Sequence, residues 1–327
     1  MTEAVVEAII QVAQILLFPG FLFVIGLAFA YEWFDRKFYA KLQNRVGPLY
    51  TGPRGFLQPF ADFVKLMAKE DIVPLAADKL LFNLSPIVAF ALILTAVLLL
   101  PISTLTGILS FPGDLILAVA LMTFFCIIVF LSGMCSTNRF STVGAERAVF
   151  QLLGYEIPMM LAIVGVALGA NSLRIGDIVG RQAENLWFIF GPQAIGFAIY
   201  AVAVQAELER IPFDIPEAEQ EIVAGWLTEF SGRKLALFRL SRDIELVFVA
   251  GLAAALYLGG PLGPVLPGLE PLLYTIYFIV KTIFVLIVLS TVRALFARLR
   301  IDQMVSFSWK YLIPLSVLQL LLVRLVV

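Results

Sequence analysis

Residues Gln205–Arg242 read QAELERIPFDIPEAEQEIVAGWLTEFSGRKLALFRLSR. This charged loop is the most acidic segment of the chain, and its seven carboxylates stand among five basic residues. Apolar runs long enough to cross a bilayer flank it on both sides. The alternation of an apolar run, a charged loop and a second apolar run predicts a helical membrane protein that meets another molecule at this loop.

The composition agrees with a membrane protein. Of 327 residues, 61% are hydrophobic and 14% are charged, whereas soluble domains average about 25% charged residues. The net charge of −1 gives no reason to expect a nucleic-acid partner. No histidine occurs, which removes the commonest metal ligand and the usual proton shuttle near neutral pH. Two cysteines, Cys126 and Cys135, are fewer than the roughly four thiolates of an iron–sulfur cluster, so we expect no redox cofactor bound by this chain.

Stretches of about 20 mostly apolar residues predict an all-α integral membrane protein with eight spans in a single polytopic domain, residues 1–327. Pro158 and the Gly191–Pro192 pair make the edges of the fourth, fifth and sixth spans the least defined. The predicted spans are Ala8–Tyr31, Leu81–Pro101, Leu115–Met134, Val149–Gly169, Leu186–Ala206, Ile244–Gly260, Leu272–Val292 and Trp309–Val326.

Basic residues near the span ends predict the orientation, because cytoplasmic loops carry an excess of Lys and Arg. The loops after spans 1, 3, 5 and 7 hold most of them, whereas the opposite side has little more than Arg174, Arg181 and Arg324. We therefore expect a multi-pass protein of the cell membrane. Its odd-numbered loops face the cytoplasm, and both termini lie on the outer face.

The first cytoplasmic loop predicts an amphipathic helix over Gly55–Glu70. Pro59 falls in its first turn, where a missing N–H costs little. We expect this helix at the membrane surface or against a partner; the alternative is packing against the chain's own spans. One face carries Phe56, Phe60, Phe63 and Met67, and another carries Asp62, Lys65 and Lys69.

In the charged loop, Pro212 and Pro216 block a continuous helix. A helix that restarts at Glu217 would place Glu217 and Glu221 on one face, because they are four residues apart. Glu219 would point elsewhere. Glu209 and Glu229 are interpreted as solvated loop charges.

Several ionisable residues fall inside or at the ends of predicted spans, where each costs about 2.5–3.5 kcal/mol on insertion scales and marks a functional pathway by default. They are Glu156 in span 4, Glu207 at the end of span 5, Asp243 and Glu245 at the start of span 6, and Lys281 in span 7. Structural ion pairs would also explain them. Together they predict a water-filled acidic passage that opens toward the charged loops.

Many short motifs recur in one order along almost the whole chain. They are Asp35-Arg36-Lys37, Arg45-Val46-Gly47-Pro48, Thr51-Gly52-Pro53, Leu57–Asp62 with Lys65 and Lys69-Glu70, Gly144-Ala145 with Arg147, Tyr155-Glu156, Glu207 with Arg210, PFDIPEAE at Pro212–Glu219, Glu229 with Ser231-Gly232, Lys281-Thr282, Val292-Arg293-Ala294, Arg298, Arg300, Asp302-Gln303 and Trp309-Lys310. The set resembles the membrane subunit of respiratory complex I that forms the quinone cavity, called subunit 1 or, in bacteria, the H subunit. Counterparts occur in membrane-bound hydrogenases, formate hydrogenlyase and related archaeal complexes.

The resemblance implies a subunit at the heel of a membrane arm, beneath a hydrophilic redox arm. The implied partners are cytoplasmic subunits that hold iron–sulfur clusters or the catalytic site, together with antiporter-like and small membrane subunits in the bilayer. The implied role is to convert redox chemistry into proton or sodium translocation through a buried acidic path. A quinone is a possible ligand, and no catalytic residue or metal ligand is expected in this chain.

The resemblance and the charge pattern together give two sets of candidate residues. Those for the ion path or for coupling are Asp62, Glu70, Glu156, Glu207, Asp214, Glu217, Glu219, Glu221, Asp243, Glu245 and Lys281. Those for redox-arm docking or a quinone-like cavity are Arg36, Lys65, Arg210, Arg239, Arg242 and Arg293.

The chain also departs from the family pattern. Span 3, Leu115–Met134, lacks a carboxylate that is common there, and Arg242 stands where an acid is usual early in span 6. Arg239 and Arg242 favour the archaeal ferredoxin-linked branch, which contains hydrogenase and sulfane-sulfur reductase complexes. The alternative is the quinone-binding subunit of an NADH- or deazaflavin-dependent quinone oxidoreductase. Two further alternatives are a stand-alone ion channel or transporter, against which the long loops argue, and a passive anchor for a soluble enzyme.

Overall fold

The computed structural model describes residues 11–184 and 186–326, and over these ranges the chain is helical without strands. A helical piece at residues 11–16 precedes α1, and a π-helix at Ser308–Leu312 joins α11 to α12. The helices are α1 (Phe21–Leu42), α2 (Gln58–Met67), α3 (Lys79–Val97), α4 (Asp114–Cys135), α5 (Arg139–Ala170), α6 (Ile175–Glu184), α7 (Gln193–Glu207), α8 (Glu219–Ile222), α9 (Gly232–Tyr257), α10 (Glu270–Leu295), α11 (Ile301–Phe307) and α12 (Ile313–Val326).

Within the described ranges, six helical segments are long and apolar enough to cross a bilayer. They are Gln11–Leu42, Lys79–Val97, Asp114–Cys135, Arg139–Ala170, Glu270–Leu295 and Ile301–Leu325. Two predicted spans fall outside this set, because α7 has only 15 residues and α9 carries five charged residues in its N-terminal half. The all-α membrane class is thus supported, and the predicted count of eight spans is not confirmed.

Helix edges differ from the prediction mainly at prolines. The predicted fourth span starts at Val149, but α5 begins at Arg139 and continues through Pro158 for 32 residues. Membrane helices tolerate an internal proline because neighbouring groups satisfy the freed backbone carbonyl. The predicted fifth span, Leu186–Ala206, begins instead with a 3-10 turn, and α7 starts only after Pro192. The predicted first span starts at Ala8, and its first three residues lie outside the described part of the chain.

Helix α9 is the centre of the bundle and packs against α1, α3 and α10. Every residue from Ile244 to Tyr257 is buried, because this half of the helix is apolar on all sides apart from Glu245, which pairs with Arg242. The other half, from Gly232 to Asp243, carries charge and extends beyond the apolar core. One helix therefore joins the interior of the bundle to its charged end.

The predicted amphipathic helix exists, but α2 is shorter than Gly55–Glu70. Its Phe60 and Phe63 rings lie 5.9 and 5.8 Å from the ring of Phe29 on α1. The alternative of packing against the chain's own helices therefore holds for this part of its apolar face. Phe60 is nevertheless 51% exposed, so the same face also has surface left for lipid or a partner.

Helix α6 was not predicted and lies at the opposite end of α9. Its Gln182 is buried and donates hydrogen bonds to the carbonyls of Ala255 and Leu256, at 2.9 and 3.2 Å. These carbonyls belong to the last turn of α9, which has no partner within its own helix. The Gln182 amide thus supplies hydrogen bonds to backbone carbonyls at the end of the central helix, which would otherwise be unpaired in an apolar environment.

Gly144 of α5 is required by the close approach of the 3-10 turn Gly225–Leu227. A Cβ at Gly144 would lie 2.6 Å from the backbone nitrogen of Trp226. We expect Gly144→Ala to lower the free energy of unfolding by about 1–3 kcal/mol, as overpacking does, in denaturation of the purified chain in detergent. Gly26→Ala in α1 is the matched control, because nothing lies within 4 Å of its Cβ position. Equal stability of the two variants would contradict this packing.

Candidate functional site: a charged cavity at the end of the bundle

A cavity of about 580 Å³ lies where α9 enters the charged end of the bundle. Helices α1, α2, α9 and α10 form its walls, and the charged loop closes it. Phe29 and Phe63 add an aromatic side. The charged side chains that line it are Glu32, Arg36, Asp62, Glu209, Arg210, Asp214, Glu217, Glu219, Arg239, Arg242, Asp243 and Arg293. Ten of the 17 predicted site residues are therefore brought together here.

Arg36 ties the end of α1 to α2. Its Nε lies 2.6 Å from Glu32 Oε1, and its Nη1 lies 2.8 Å from Asp62 Oδ2. Asp62 also accepts a hydrogen bond from Gln58 and lies 3.5 Å from the exposed Lys65. Burial alone would raise the pKa of Asp62, but the hydrogen bonds from Arg36 and Gln58 outweigh it and lower that pKa. Asp62 is therefore held as a carboxylate.

Asp35 is a buried carboxylate directly behind this wall and is 1% exposed. Arg293 Nη1 lies 2.9 Å from its Oδ2, and Arg210 Nη1 lies 3.3 Å from the same oxygen. Ser290 donates to its Oδ1. Two cations and one hydroxyl compensate a charge that the apolar interior would otherwise disfavour.

Arg242, which also lines the cavity, is a cation held between two carboxylates. Its Nη2 lies 2.6 Å from Glu209 Oε1, and its Nη1 lies 2.9 Å from Glu245 Oε2. The guanidinium lies 5.1 Å from the ring of Phe125 and 5.9 Å from that of Trp226. Aromatic faces attract a guanidinium in this geometry, so the cation is held by two carboxylates and two rings.

A row of acids continues from Arg242 into the bundle. Glu207 ends α7 and is 4% exposed, and its backbone carbonyl accepts a hydrogen bond from Arg242. The Tyr155 hydroxyl lies beside the Glu207 carboxyl. Glu156 follows on α5 and accepts a hydrogen bond of 2.6 Å from Thr123. The groups that can hold a proton therefore run from the cavity to a half-buried position on α5.

Buried glutamines hold the non-helical part of the charged loop. Gln151 Nε2 donates to the carbonyls of Ala206 and Phe213, at 2.7 and 2.9 Å. Gln205 Nε2 donates to the carbonyl of Ile211, at 2.9 Å, and to that of Leu289 on α10. Irregular backbone inside an apolar bundle needs such partners. These two side chains thus position the carboxylates of Glu207 and Glu209.

The carboxylates on the charged loop differ in their pKa values because their surroundings differ. Burial raises the pKa of Asp214 to about 6, with Arg298 opposing the rise. Burial also raises the pKa of Glu217, and the nearby Glu209 adds to the rise. A hydrogen bond from Arg147 lowers the pKa of Glu221. Asp214 and Glu217 are therefore poised to bind protons near neutral pH, whereas Glu221 is not.

Other predicted site residues lie away from the cavity lining. Glu70 is exposed, and the backbone around it packs on Gly232 at the start of α9. The Lys281 amine donates to the carbonyl of Leu262, at 2.8 Å, and lies 4.5 Å from the ring of Trp187. Both partners lie beyond the far end of α9, so Lys281 is not part of this acidic cluster.

Two interpretations of the charged loop were wrong. Glu217 and Glu221 do not share a face, because the helix begins at Glu219 and not at Glu217. Glu217 faces the cavity, whereas Glu221 is exposed and pairs with Arg147 at 2.5 Å. Glu209 is not a solvated loop charge, because its side chain is 7% exposed and pairs with Arg242. Glu229 is half-buried and accepts a hydrogen bond from Asn138.

Sequence reasoning missed Glu32, Asp35 and Glu209 as site residues, and it missed the two glutamines. Asp35 was visible only as part of the Asp35-Arg36-Lys37 motif. The available signal for Glu32 was its spacing of four residues before Arg36, which predicts an ion pair on one helix face. No local signal distinguishes Glu209 from an exposed acid, because its partner Arg242 is remote in the sequence.

Comparison of the sequence with known proteins identifies relatives along almost the whole chain. A family model described as NADH dehydrogenase matches residues 13–324. The H subunit of the NADH-quinone oxidoreductase of Dehalococcoides mccartyi is 38% identical over 300 residues, which cover 92% of this chain and 82% of the relative. Its counterpart in Brevibacillus brevis is 38% identical over 304 residues, covering 93% and 90%. That of Thermomicrobium roseum is 37% identical over 321 residues, covering 93% and 92%.

The fold and the cavity define a helical membrane protein whose charged end encloses compensated carboxylates. The chain belongs to the NADH dehydrogenase family of complex I subunit 1, whose bacterial members are called the H subunit. The resemblance in the sequence motifs is thereby confirmed.

The raised pKa of Asp214 predicts a dependence of stability on pH. A carboxyl whose pKa is about 6 in the folded chain binds a proton more tightly there than in the unfolded chain, so its ionisation destabilises the fold as pH rises through 6. We expect Asp214→Asn to raise the free energy of unfolding above about pH 7 by roughly 1–2 kcal/mol, at about 1.4 kcal/mol per pKa unit with allowance for solvent. Well below pH 3.8, the ordinary pKa of an aspartate, the gain should vanish, because Asp214 is then protonated in the folded and in the unfolded chain.

Glu221→Gln is the matched control of opposite sign, measured by the same denaturation in detergent. Its lowered pKa stabilises the fold at neutral pH, and that contribution disappears as the pH falls through the lowered pKa. The variant should therefore lose stability at neutral pH and match the wild type in acid. A gain at neutral pH for both variants would contradict the assigned environments.

Proposed function

We propose that this chain is the membrane-arm subunit at the junction with the hydrophilic redox arm of a complex I-like oxidoreductase, where it couples electron transfer to proton or sodium translocation. The observation that carries this proposal is the cavity at the charged end of α9. Arginines that line it hold carboxylates buried behind it, as Arg242 holds Glu245. A change of charge in the cavity is therefore felt inside the bundle.

The path that carries the ion or its electrostatic signal begins at the cavity acids Asp214 and Glu217. It continues past Arg242 to Glu207 and Glu156. The raised pKa values of Asp214 and Glu217 favour proton exchange with water in the cavity. With no histidine in the chain, carboxylates and Tyr155 perform this transfer.

The acceptor that the cavity takes is a quinone, the class that the names of the relatives contain. Phe29 and Phe63 provide an apolar side for the ring. Arg293 lines the cavity, and its Nε is a buried donor that lacks a hydrogen-bond partner among the described residues. Unpaired buried donors are costly, and a quinone carbonyl satisfies such donors.

A ferredoxin-linked complex is the second candidate, and the charged lining favours it. Twelve charged side chains surround the cavity, more than recognition of an apolar isoprenoid quinone requires. Arg239 and Arg242 are the residues that suggested this archaeal branch. The relatives named above are all quinone oxidoreductase subunits and give it no support, so it stays a prediction.

The proposed assembly follows the family. We place iron–sulfur and catalytic subunits on the cytoplasmic side, against the loops that carry most of the basic residues. Antiporter-like and small membrane subunits lie beside the chain in the bilayer, and the chain binds no redox cofactor of its own. The topology has eight spans, including α7 and α9, with both termini on the outer face.

The coupling role predicts that the acidic path can be broken without stopping electron transfer. We expect Glu207→Gln and Glu156→Gln to leave the complex assembled and reducing its acceptor, while ion pumping per electron falls several-fold. Pumping would be measured with pH- and potential-sensitive dyes in vesicles that contain the intact complex. Glu184→Gln is the matched control, because Glu184 pairs with Arg181 in a 70%-exposed position on α6.

Three other outcomes would contradict the coupling role. Normal pumping in both variants would show that Glu207 and Glu156 are not needed for ion translocation. Loss of the whole complex, while the control assembles, would indicate a passive anchor. Ion conduction by the purified chain alone in liposomes would indicate a channel.

The identity of the redox partner is tested by comparing activity with a quinone and activity with ferredoxin. We expect membranes that contain the complex to reduce a short-chain quinone, and Arg293→Gln to raise the KM for this quinone more than it changes kcat, because the cavity loses a guanidinium from its lining. Reduced ferredoxin is the comparison substrate. Ferredoxin-dependent activity without quinone reduction would favour the second candidate.

A further inference from the structure

A groove of about 710 Å³ lies at the end of the bundle opposite the charged cavity. The N-terminal end of α4, the C-terminal end of α5 and the start of α6 form its walls. Its volume falls within the range of about 300–1,000 Å³ that is usual for small-molecule sites. No residue lines both the groove and the charged cavity, so the groove is a separate feature of the molecule.

One side of the groove is an apolar stripe on the two long helices, formed by Ile116 on α4 and by Val164 and Leu168 on α5. All three side chains are exposed. Val164 and Leu168 share a face because they are four residues apart. Val164 precedes the end of α5 at Ala170, so the stripe reaches about 9 Å along the helix at roughly 1.5 Å per residue. Its surface suits the upper part of a lipid acyl chain, which is as apolar as leucine.

The polar end of the groove carries one cation and one anion. Arg174 is half-buried, and its Nε donates to Ser110 Oγ at 2.9 Å. Ser110 in turn donates to the buried Asp114 at 3.4 Å. The two Nη atoms of Arg174 have no hydrogen-bond partner among the described residues. The Asp177 carboxylate is exposed and accepts a hydrogen bond of 2.9 Å from Ser172.

Arg174 and Asp177 form no ion pair with each other within the described ranges, although they are three residues apart. Ion pairs are common at that spacing on a helix, and Arg181 and Glu184 form one farther along α6, at 3.4 Å. At the groove, the two serine contacts hold the guanidinium and the carboxylate in place instead. Both charges therefore remain available to a ligand that carries the opposite pair of charges.

We propose that this groove binds a zwitterionic phospholipid whose headgroup carries a primary ammonium, as in phosphatidylethanolamine. The phosphate lies against the guanidinium of Arg174, whose planar fork suits phosphate oxygens. The ammonium lies against Asp177, and an acyl chain follows the apolar stripe. This inference goes beyond the proposed function, because it requires a bilayer but no redox partner.

The charges of the groove distinguish this lipid from other occupants. Inorganic phosphate leaves the apolar stripe uncovered and brings a second anion to Asp177. Phosphatidylglycerol has no cation for Asp177, and a choline headgroup has no N–H to donate to it. A primary ammonium has three donors. The buried Asp114 does not alter this choice, because it does not line the groove and accepts a hydrogen bond of 2.7 Å from the backbone of Ile175.

The test is photo-cross-linking of the intact complex, as isolated from its membrane, in nanodiscs of phosphatidylcholine. The probe is a trace of phosphatidylethanolamine with a diazirine near the start of one acyl chain. We expect mass spectrometry to find the label on the peptide that contains Val164 and Leu168. Replacing part of the bulk lipid by unlabelled phosphatidylethanolamine should reduce this labelling several-fold. The same amount of phosphatidylglycerol, or added inorganic phosphate, should leave it nearly unchanged.

Variants of the two charged residues test the headgroup assignment. Arg174→Gln should reduce the labelling several-fold, because the lipid phosphate loses its guanidinium. Asp177→Asn should make phosphatidylglycerol compete as well as phosphatidylethanolamine does. Arg181→Gln is the matched control and should label as the wild type does, because Arg181 lies on the same helix but pairs with Glu184 and does not line the groove.

Leu168→Trp covers the case in which Arg174→Gln does not assemble. It fills the apolar stripe and leaves both charges in place, so the labelling should fall in an assembled complex. The proposal is overturned if the wild-type groove is not labelled, or if a partner subunit is cross-linked to the stripe in place of lipid. It is also overturned if phosphatidylglycerol or phosphate competes as well as phosphatidylethanolamine, or if Arg174→Gln labels as the wild type does. Electron transfer and pumping do not enter this readout, so failure of the proposed function is distinguishable.

Discussion

The pairing of Arg242 with Glu209 and Glu245 is the interaction on which the charged end of this protein depends. Removal of one member of a buried ion pair leaves an uncompensated charge and costs about 3–5 kcal/mol. The neighbouring parts serve this compensation: the rings of Phe125 and Trp226 flank the cation, and Trp226 also orients Glu209. The position of Trp226 in turn requires the glycine at Gly144.

Helix α9 brings two environments together in one rigid element. Its half from Ile244 to Tyr257 is buried on every side, which fixes the rotation of the whole helix and hence the direction of Glu245 and of Arg242, one turn before it. The non-helical segment between α7 and α8 meets the same requirement in another way, because Gln151 and Gln205 satisfy its backbone carbonyls. Charge and backbone are thus both compensated by side chains, and some of these, such as Gln151 for Ala206 and Arg242 for Glu209, are remote in sequence.

Much of the fold was predictable because it depends on local properties. Apolar length indicated the helices, and six of the segments agree with the predicted spans. Prediction was weaker where tertiary contacts override local signals. Pro158 lies within a continuous helix. Helix α9 begins at Gly232, twelve residues before the predicted start at Ile244. The candidate arginines were predicted as a set, but their individual partners were not.

The sequence by itself determined the class of protein, the family and the residues that can carry charge in the bundle, because composition and motif order are properties of the chain alone. Only the tertiary structure decided which charges meet. Glu209 and Glu221 both stand in one acidic stretch, yet one is buried against Arg242 and the other is exposed beside Arg147. The physical reason is that compensation of a buried charge depends on distance in space, and the partners of Asp35 and Glu209 lie on helices far along the chain.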